Sequence, residues 1–115
     1  MKEKVKGATE KFITDNFIYS DGTSIGSIKK LRDRSLAVTF VSVKLKETNE
    51  LGVLIDIPNR VSTNTIAHEA THFAIAVFAD LDIKVEMAND EHLAYLIGWC
   101  ADCIEQVLKN KFKEM

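Results

Sequence analysis

Apolar residues recur at helical spacing over residues 62 to 79, where Ile66, Ala67, Ala70, Phe73, Ala74, Val77 and Phe78 build one face. The spacing predicts a helix there, with Ser62 or Thr63 as its N-cap. "DLDIK" breaks the pattern, and a second helical pattern starts near Asn89 or Asp90. It runs towards the C-terminus through Leu93, Ala94, Leu96, Ile97, Cys100, Ile104, Val107 and Leu108. Upstream, the texture changes. "LAVTFVSVKL", 36 to 45, is rich in β-branched and aromatic residues, and "GVLIDI", 52 to 57, places Val53, Ile55 and Ile57 on one side. Two strands are predicted, joined antiparallel through the polar "KETNE" and closed by Pro58, the only proline.

The first third is punctuated more weakly. Residues 2 to 16 predict a short charged helix with Val5, Ala8 and Phe12 as a thin apolar face. "SDGTSIGS", 20 to 27, is dense in turn formers and predicts a loop, while "IKKLRDR" after it fits one or two helical turns or part of a strand. The order of elements predicts an α+β fold: a small antiparallel or mixed sheet followed by two helices. At 115 residues the chain fits a single domain, 1–115, with no internal repeat.

Composition narrows the function classes. Hydrophobic residues at 46% and charged residues at 28% are ordinary for a globular protein. Fifteen basic against seventeen acidic side chains leave a net charge of −2, so the basic surface of a nucleic-acid binder is missing and no nucleic-acid partner is expected. No apolar run reaches the ~18 residues that cross a bilayer, so no membrane partner is expected. "MKEKVKGATEKF" has no signal-peptide core, and a cytoplasmic location is the expectation.

The candidate chemistry lies in "TIAHEATHFA", 65 to 74. Residues four apart share a helix face, so His68 and His72 can aim their imidazoles at one point, the geometry a shared zinc ion needs. Glu69, about 100° further round the helix, sits beside that point, where a carboxylate can accept a proton from metal-bound water. The same residues also serve simply to keep an amphipathic helix wet. The apolar neighbours Ile66, Ala67, Ala70, Phe73 and Ala74 favour a semi-enclosed site over open water. Catalytic zinc takes three protein ligands and leaves a fourth position for water. "NDEHLAY", 89 to 95, offers Asp90, Glu91 and His92. Glu91 follows His72 by nineteen residues at the head of the next helix, and His92 competes with it one position along.

On these residues the stretch "STNTIAHEATHFAIAVFADLDIKVEMANDEHLAYLIGW" resembles the zincin metallopeptidases of the glutamate-ligand branch, in which H-E-x-x-H is followed some twenty residues later by a helix that brings a Glu. More closely, it resembles short zincin-like proteins of phage and prophage genomes, with their acidic "E-x-x-A-Y" helix. The resemblance covers about residues 52 to 99; the chain lacks the Met-turn and the third histidine of the extended metzincin pattern. It implies a minimal zincin-like fold, zinc as cofactor, His68, His72 and Glu91 as metal ligands and Glu69 as general base. It also implies a peptide or protein substrate, with "GVLIDI" as the strand that holds it extended.

Tyr95 stands four residues after Glu91 and shares its face. It can hydrogen-bond a ligand carboxylate or a substrate oxyanion as a catalytic residue, or simply pack its ring with a wet hydroxyl. Asp90 can orient an imidazole or cap the helix. The function expected first is therefore a zinc-dependent hydrolase, a small metallopeptidase of phage or prophage origin. The alternative is a non-catalytic zincin-fold module that binds or regulates within a mobile element, and a third reading is a peptidase that cleaves a phage repressor.

"GWCADC", 98 to 103, spells C-x-x-C after a tryptophan, but these cysteines fall well inside a predicted helix, where the helix dipole no longer lowers a thiol pKa. The only proline precedes them, so the cis-proline of thioredoxin-type sites has no counterpart. Cys100 and Cys103 read as small core residues three apart on one helix face.

Overall fold

The hairpin predicted over residues 36 to 57 is the centre of the molecule. The computed structural model describes residues 7–26 and 28–109. Strand β2 (Val38–Leu45) pairs antiparallel with β3 (Leu51–Asp56) from Val38↔Asp56 to Lys44↔Leu51. The polar connection closes tightly, with the Asn49 N–H donating to the Leu45 carbonyl at 2.8 Å and Asn49 itself at φ 60, a left-handed position asparagine tolerates. A third strand, β1 (Phe17–Tyr19), pairs antiparallel with the far end of β2 through Phe17↔Leu45 and Tyr19↔Val43, so the order is β1-β2-β3 with β2 in the middle. The fold is α+β, with a three-stranded antiparallel sheet and four α-helices among the described residues.

A bulge in β2 decides which side chains face which layer. Between the pairs Phe40↔Leu54 and Val43↔Gly52 the chain takes three steps along β2 and two along β3, so β2 carries one extra residue. Ser42, at φ 56, absorbs the irregularity, and its carbonyl accepts the Ser20 N–H at 2.7 Å. Phe40, Val43 and Leu45 consequently pack together on one face with Leu54. Helices α1 (Glu10–Asn16) and α2 (Ile28–Asp33) cover that face, and Ile13, Phe17, Ile25, Ile28 and Val43 form its buried core. Ile28 is 0% exposed, and burying a side chain of this kind contributes about 2 kcal/mol.

The opposite face carries Val53, Ile55 and Ile57, as the alternation of "GVLIDI" predicts, and packs against α3 (Thr63–Asp80) and α4 (Asp90–Leu108). Ile66, Ala70 and Phe73 of α3 meet Cys100 and Ile104 of α4, and the Phe73 and Trp99 rings lie 5.8 Å apart. The sheet therefore lies between two helical layers. Ser62 is the N-cap of α3, its hydroxyl accepting the Thr65 N–H at 3.2 Å. Before α4 the chain makes one 3₁₀ turn (Met87–Asn89).

The early segment differs most from expectation. Of the helix expected over 2 to 16, residues 2–6, Val5 among them, lie outside the described residues, 7–9 are not helical and Glu10–Asn16 are, capped by Thr9, whose hydroxyl accepts the Phe12 N–H at 3.1 Å; the buried residue of this helix is Ile13. The segment of two possible structures, "IKKLRDR", is helical over Ile28–Asp33 and turns at Arg34. An ion pair ties this layer to the sheet: Arg32 donates from Nη2 to Asp56 Oδ1 at 2.7 Å and from Nε to Oδ2 at 3.2 Å, and from Nη1 to the Ala8 carbonyl. Asp56 is buried, and its carboxylate holds the Arg32 guanidinium above its ordinary pKa mainly through that hydrogen bond. No helix among the described residues is long and apolar enough to cross a membrane.

Candidate metal centre

Helix α3 turns Ile66, Glu69, Ala70 and Phe73 inward, and the three-to-four spacing of these positions is the buried stripe of an amphipathic helix. At 100° per residue, His68 and His72 fall about 100° and 60° to the same side of Glu69, on the helix flank that meets solvent. Their Nε2 atoms stand 3.1 Å apart, with ring centroids at 4.7 Å and planes at 78°. Two nitrogens each ~2.0 Å from a tetrahedral zinc are about 3.3 Å apart, so this separation is close to that of a shared ion. Without a cation the same contact is a hydrogen bond between a donor and an acceptor tautomer.

Glu69 is 5% exposed, a burial that a carboxylate tolerates only with a partner. The partner is Thr39 on β2, whose hydroxyl donates to Glu69 Oε1 at 2.7 Å. The pleat explains the approach: Phe40 packs into the α1–α2 layer, so Thr39, one residue before it, projects to the α3 side. The other oxygen, Oε2, lies 3.8 Å from His68 Nε2. The two imidazoles thus meet each other as the H-E-x-x-H spacing predicts, and the carboxylate lies beside one of them, His68. Thr39 was not foreseen, since nothing in its local sequence marks it as the partner of a residue thirty positions on.

The expectation of a semi-enclosed site holds for Glu69 and not for the imidazoles. The His68 side chain is 63% exposed, and His72 is exposed too. α4 approaches α3 through its middle, where Trp99 meets Phe73, one residue beyond His72. Glu91 precedes Trp99 by eight residues and stands on the order of 12 Å up the helix axis from that contact. Asp90, Glu91 and His92 are exposed on the first turn of α4, and among the described residues no group of three His, Cys, Asp or Glu side chains gathers around one point. Tyr95 is 77% exposed, and among the described residues its hydroxyl has no hydrogen-bond partner. Asn89 takes the N-cap position of α4, although its side chain donates back to the Lys84 carbonyl at 3.0 Å rather than capping; Asp90 makes no cap bond.

Two cavities flank the sheet. The larger, about 660 Å³, opens beside β3 and is walled by Ala8, Phe12, Arg32, Ile57, Ile104 and Val107 among others; the second, about 340 Å³, lies between β2–β3 and α3, against Phe73, Val77 and Trp99. None of His68, Glu69 and His72 lines either. The cysteines sit in the core as predicted: Cys100 is 0% and Cys103 4% exposed, neither is bonded to the other, and burial with the neighbouring Cys103 pushes the Cys100 thiol up to about 12. That is the opposite of an activated thiol. No protein family, curated protein or solved structure matches this chain.

Proposed function

We propose that the chain is a zinc-dependent hydrolase, a small metallopeptidase of the minimal zincin-like kind, with His68 and His72 as metal ligands and Glu69 as general base. The observation that carries the reading is the convergence of the two Nε2 atoms, 3.1 Å apart, beside a carboxylate oxygen 3.8 Å from one of them. The donor set fits zinc, since neutral imidazole nitrogen is among its preferred ligands and each ring presents its Nε2 to the other, where an ion would replace the hydrogen bond between them. Glu91 remains the proposed third ligand on the strength of the resemblance, with His92 as its competitor, and Tyr95 the proposed oxyanion partner. Bound zinc supplies Lewis acidity and a water of lowered pKa. The chain's own part is then acid–base work. Glu69 Oε2 takes a proton on the imidazole side and returns it to the leaving amine, while Oε1 stays held by Thr39. The substrate class proposed is peptide or protein, and a phage or prophage setting belongs to the same proposal.

A second reading has an observation of its own. Leu81, Ile83, Val85 and Met87, between α3 and α4, are all exposed, Met87 at 90%. An apolar run of this kind on the surface suits a partner protein, which favours a zincin-fold module that binds or regulates without cutting. Metal analysis of the purified chain, followed by incubation with a broad peptide library, separates the readings. About one zinc per chain and metal-dependent cleavage support the hydrolase; one zinc with no cleavage across the library supports the module; no zinc retained by wild type overturns the metal site.

A further inference from the structure

We infer that Thr39 is a positioning residue for Glu69: its hydroxyl pins one carboxylate oxygen so that the other faces the His68–His72 pair. This rests on the reading of Glu69 as the base. A glutamate side chain has three torsions to fix, and a base that must meet a proton at one place needs them fixed beforehand. A hydroxyl has a single proton to give. The 2.7 Å contact to Oε1 claims it over the Glu69 backbone carbonyl, which lies 3.5 Å from the same Oγ1. A hydroxyl donating to an ionised acceptor makes a charge-assisted bond, stronger than a neutral one. Oε2 is left as the oxygen turned to the imidazoles, 3.8 Å from His68 Nε2.

The anchor is stiff. Thr39 pairs with Ile55 across the β2–β3 ladder, one residue before the bulge-flanking Phe40, and its χ1 is restricted by β-branching. Glu69 sits on the buried stripe of α3 at 5% exposure, so bulk water competes little for Oε1. A merely structural tie between β2 and α3 would need the hydroxyl for stability alone; a positioning bond also sets where Oε2 points.

The test uses the full chain loaded with cobalt(II), whose visible absorption reports the ligand field, and fluorescein-labelled casein as the hydrolysis probe. Thr39→Val keeps the shape and removes the proton donor; Thr39→Ser keeps the donor. Thr39→Val is expected to bind one cobalt as wild type does, to shift its visible spectrum to that of Glu69→Gln, and to lose about 10- to 100-fold in kcat with KM unchanged. Thr39→Ser is expected to keep the wild-type spectrum and to restore kcat. If Thr39→Val fails to fold, Thr39→Ala takes its place with the same expectations. A wild-type spectrum and wild-type kcat in a folded, cobalt-bearing Thr39→Val overturn the inference while leaving the metal site standing. Wild type that binds no cobalt overturns the metal reading and this role together. If wild type binds cobalt and leaves casein uncut, the spectra decide alone.

Discussion

His68 and His72 bring their Nε2 atoms to 3.1 Å of each other from successive turns of α3, on the flank of the helix that solvent reaches. If that pair is the heart of a zinc site, either imidazole alone is a poor ligand set. His68→Ala and His72→Ala are each expected to weaken zinc binding by at least about 100-fold, beyond the loss usual for a group that only supports a ligand. Isothermal titration of the metal-stripped chain measures it. Full affinity in both variants excludes the pair. Glu91→Ala is expected to weaken zinc more than His92→Ala does, and the reverse order would move the third ligand to His92.

The Arg32–Asp56 pair gives a stability prediction remote from this site. Arg32→Ala leaves the buried Asp56 carboxylate without its two guanidinium bonds, at 2.7 and 3.2 Å. The guanidinium is partly exposed, so the cost falls below that of a fully buried pair, at about 2–3 kcal/mol. Urea denaturation reads it. Asp56→Asn in the Arg32→Ala background should recover part of the loss, because a neutral amide tolerates burial better than an unpaired carboxylate; no recovery would show that packing of the arginine stem dominates.

Cys100 sets a dependence on alkaline pH. Its thiol titrates at about 12 in the folded chain against an ordinary 9.0. The folded state holds the proton more tightly, so the contribution to stability is complete below pH 9 and is lost as pH rises towards about 12. The slope from this one thiol is at most about 1.4 kcal/mol per pH unit. Lysines and tyrosines titrate in the same window, so the informative comparison is with Cys100→Ala, whose stability should fall less steeply there. Equal slopes would remove the buried thiol as the cause. The same burial predicts that Cys100 stays unmodified by iodoacetamide at pH 8 until the chain is unfolded.

What could be read from the sequence follows the range of the forces involved. Helix α3 was expected over 62 to 79 and runs Thr63–Asp80, because its cap, its apolar stripe and its breaker are all local. The β2–β3 hairpin was legible for the same reason. Strand β1 was missed: Phe17, Ile18 and Tyr19 are too few to show alternation, and they are extended because β2 lies beside them. Thr39 and Arg32 likewise owe their roles to partners thirty and twenty-four residues away, which no window along the chain contains. His68, Glu69 and His72 were legible because one turn of helix fixes their relation. The position of α4 along α3 was not, since it depends on how Trp99 and Phe73 interlock.

The sharpest separation of chemistry from binding comes from Glu69→Gln. The substitution keeps length and volume, and the amide oxygen can still accept the Thr39 proton at the place of Oε1, so the fold and the imidazole pair should survive it. What disappears is the basic oxygen on the His68 side, 3.8 Å from Nε2. If Glu69 is the base, the variant should hold zinc as wild type does while hydrolysis falls by about 10²- to 10⁴-fold, the range for losing a positioned acid–base group. Metal content by mass spectrometry and cleavage of a peptide library measure the two halves separately, with zinc-stripped wild type as the control for uncatalysed cleavage. A variant that retains zinc and cuts at the wild-type rate removes Glu69 from the chemistry. A variant that loses zinc instead makes Glu69 a carboxylate the metal site itself depends on, placing it nearer the ion than a general base stands.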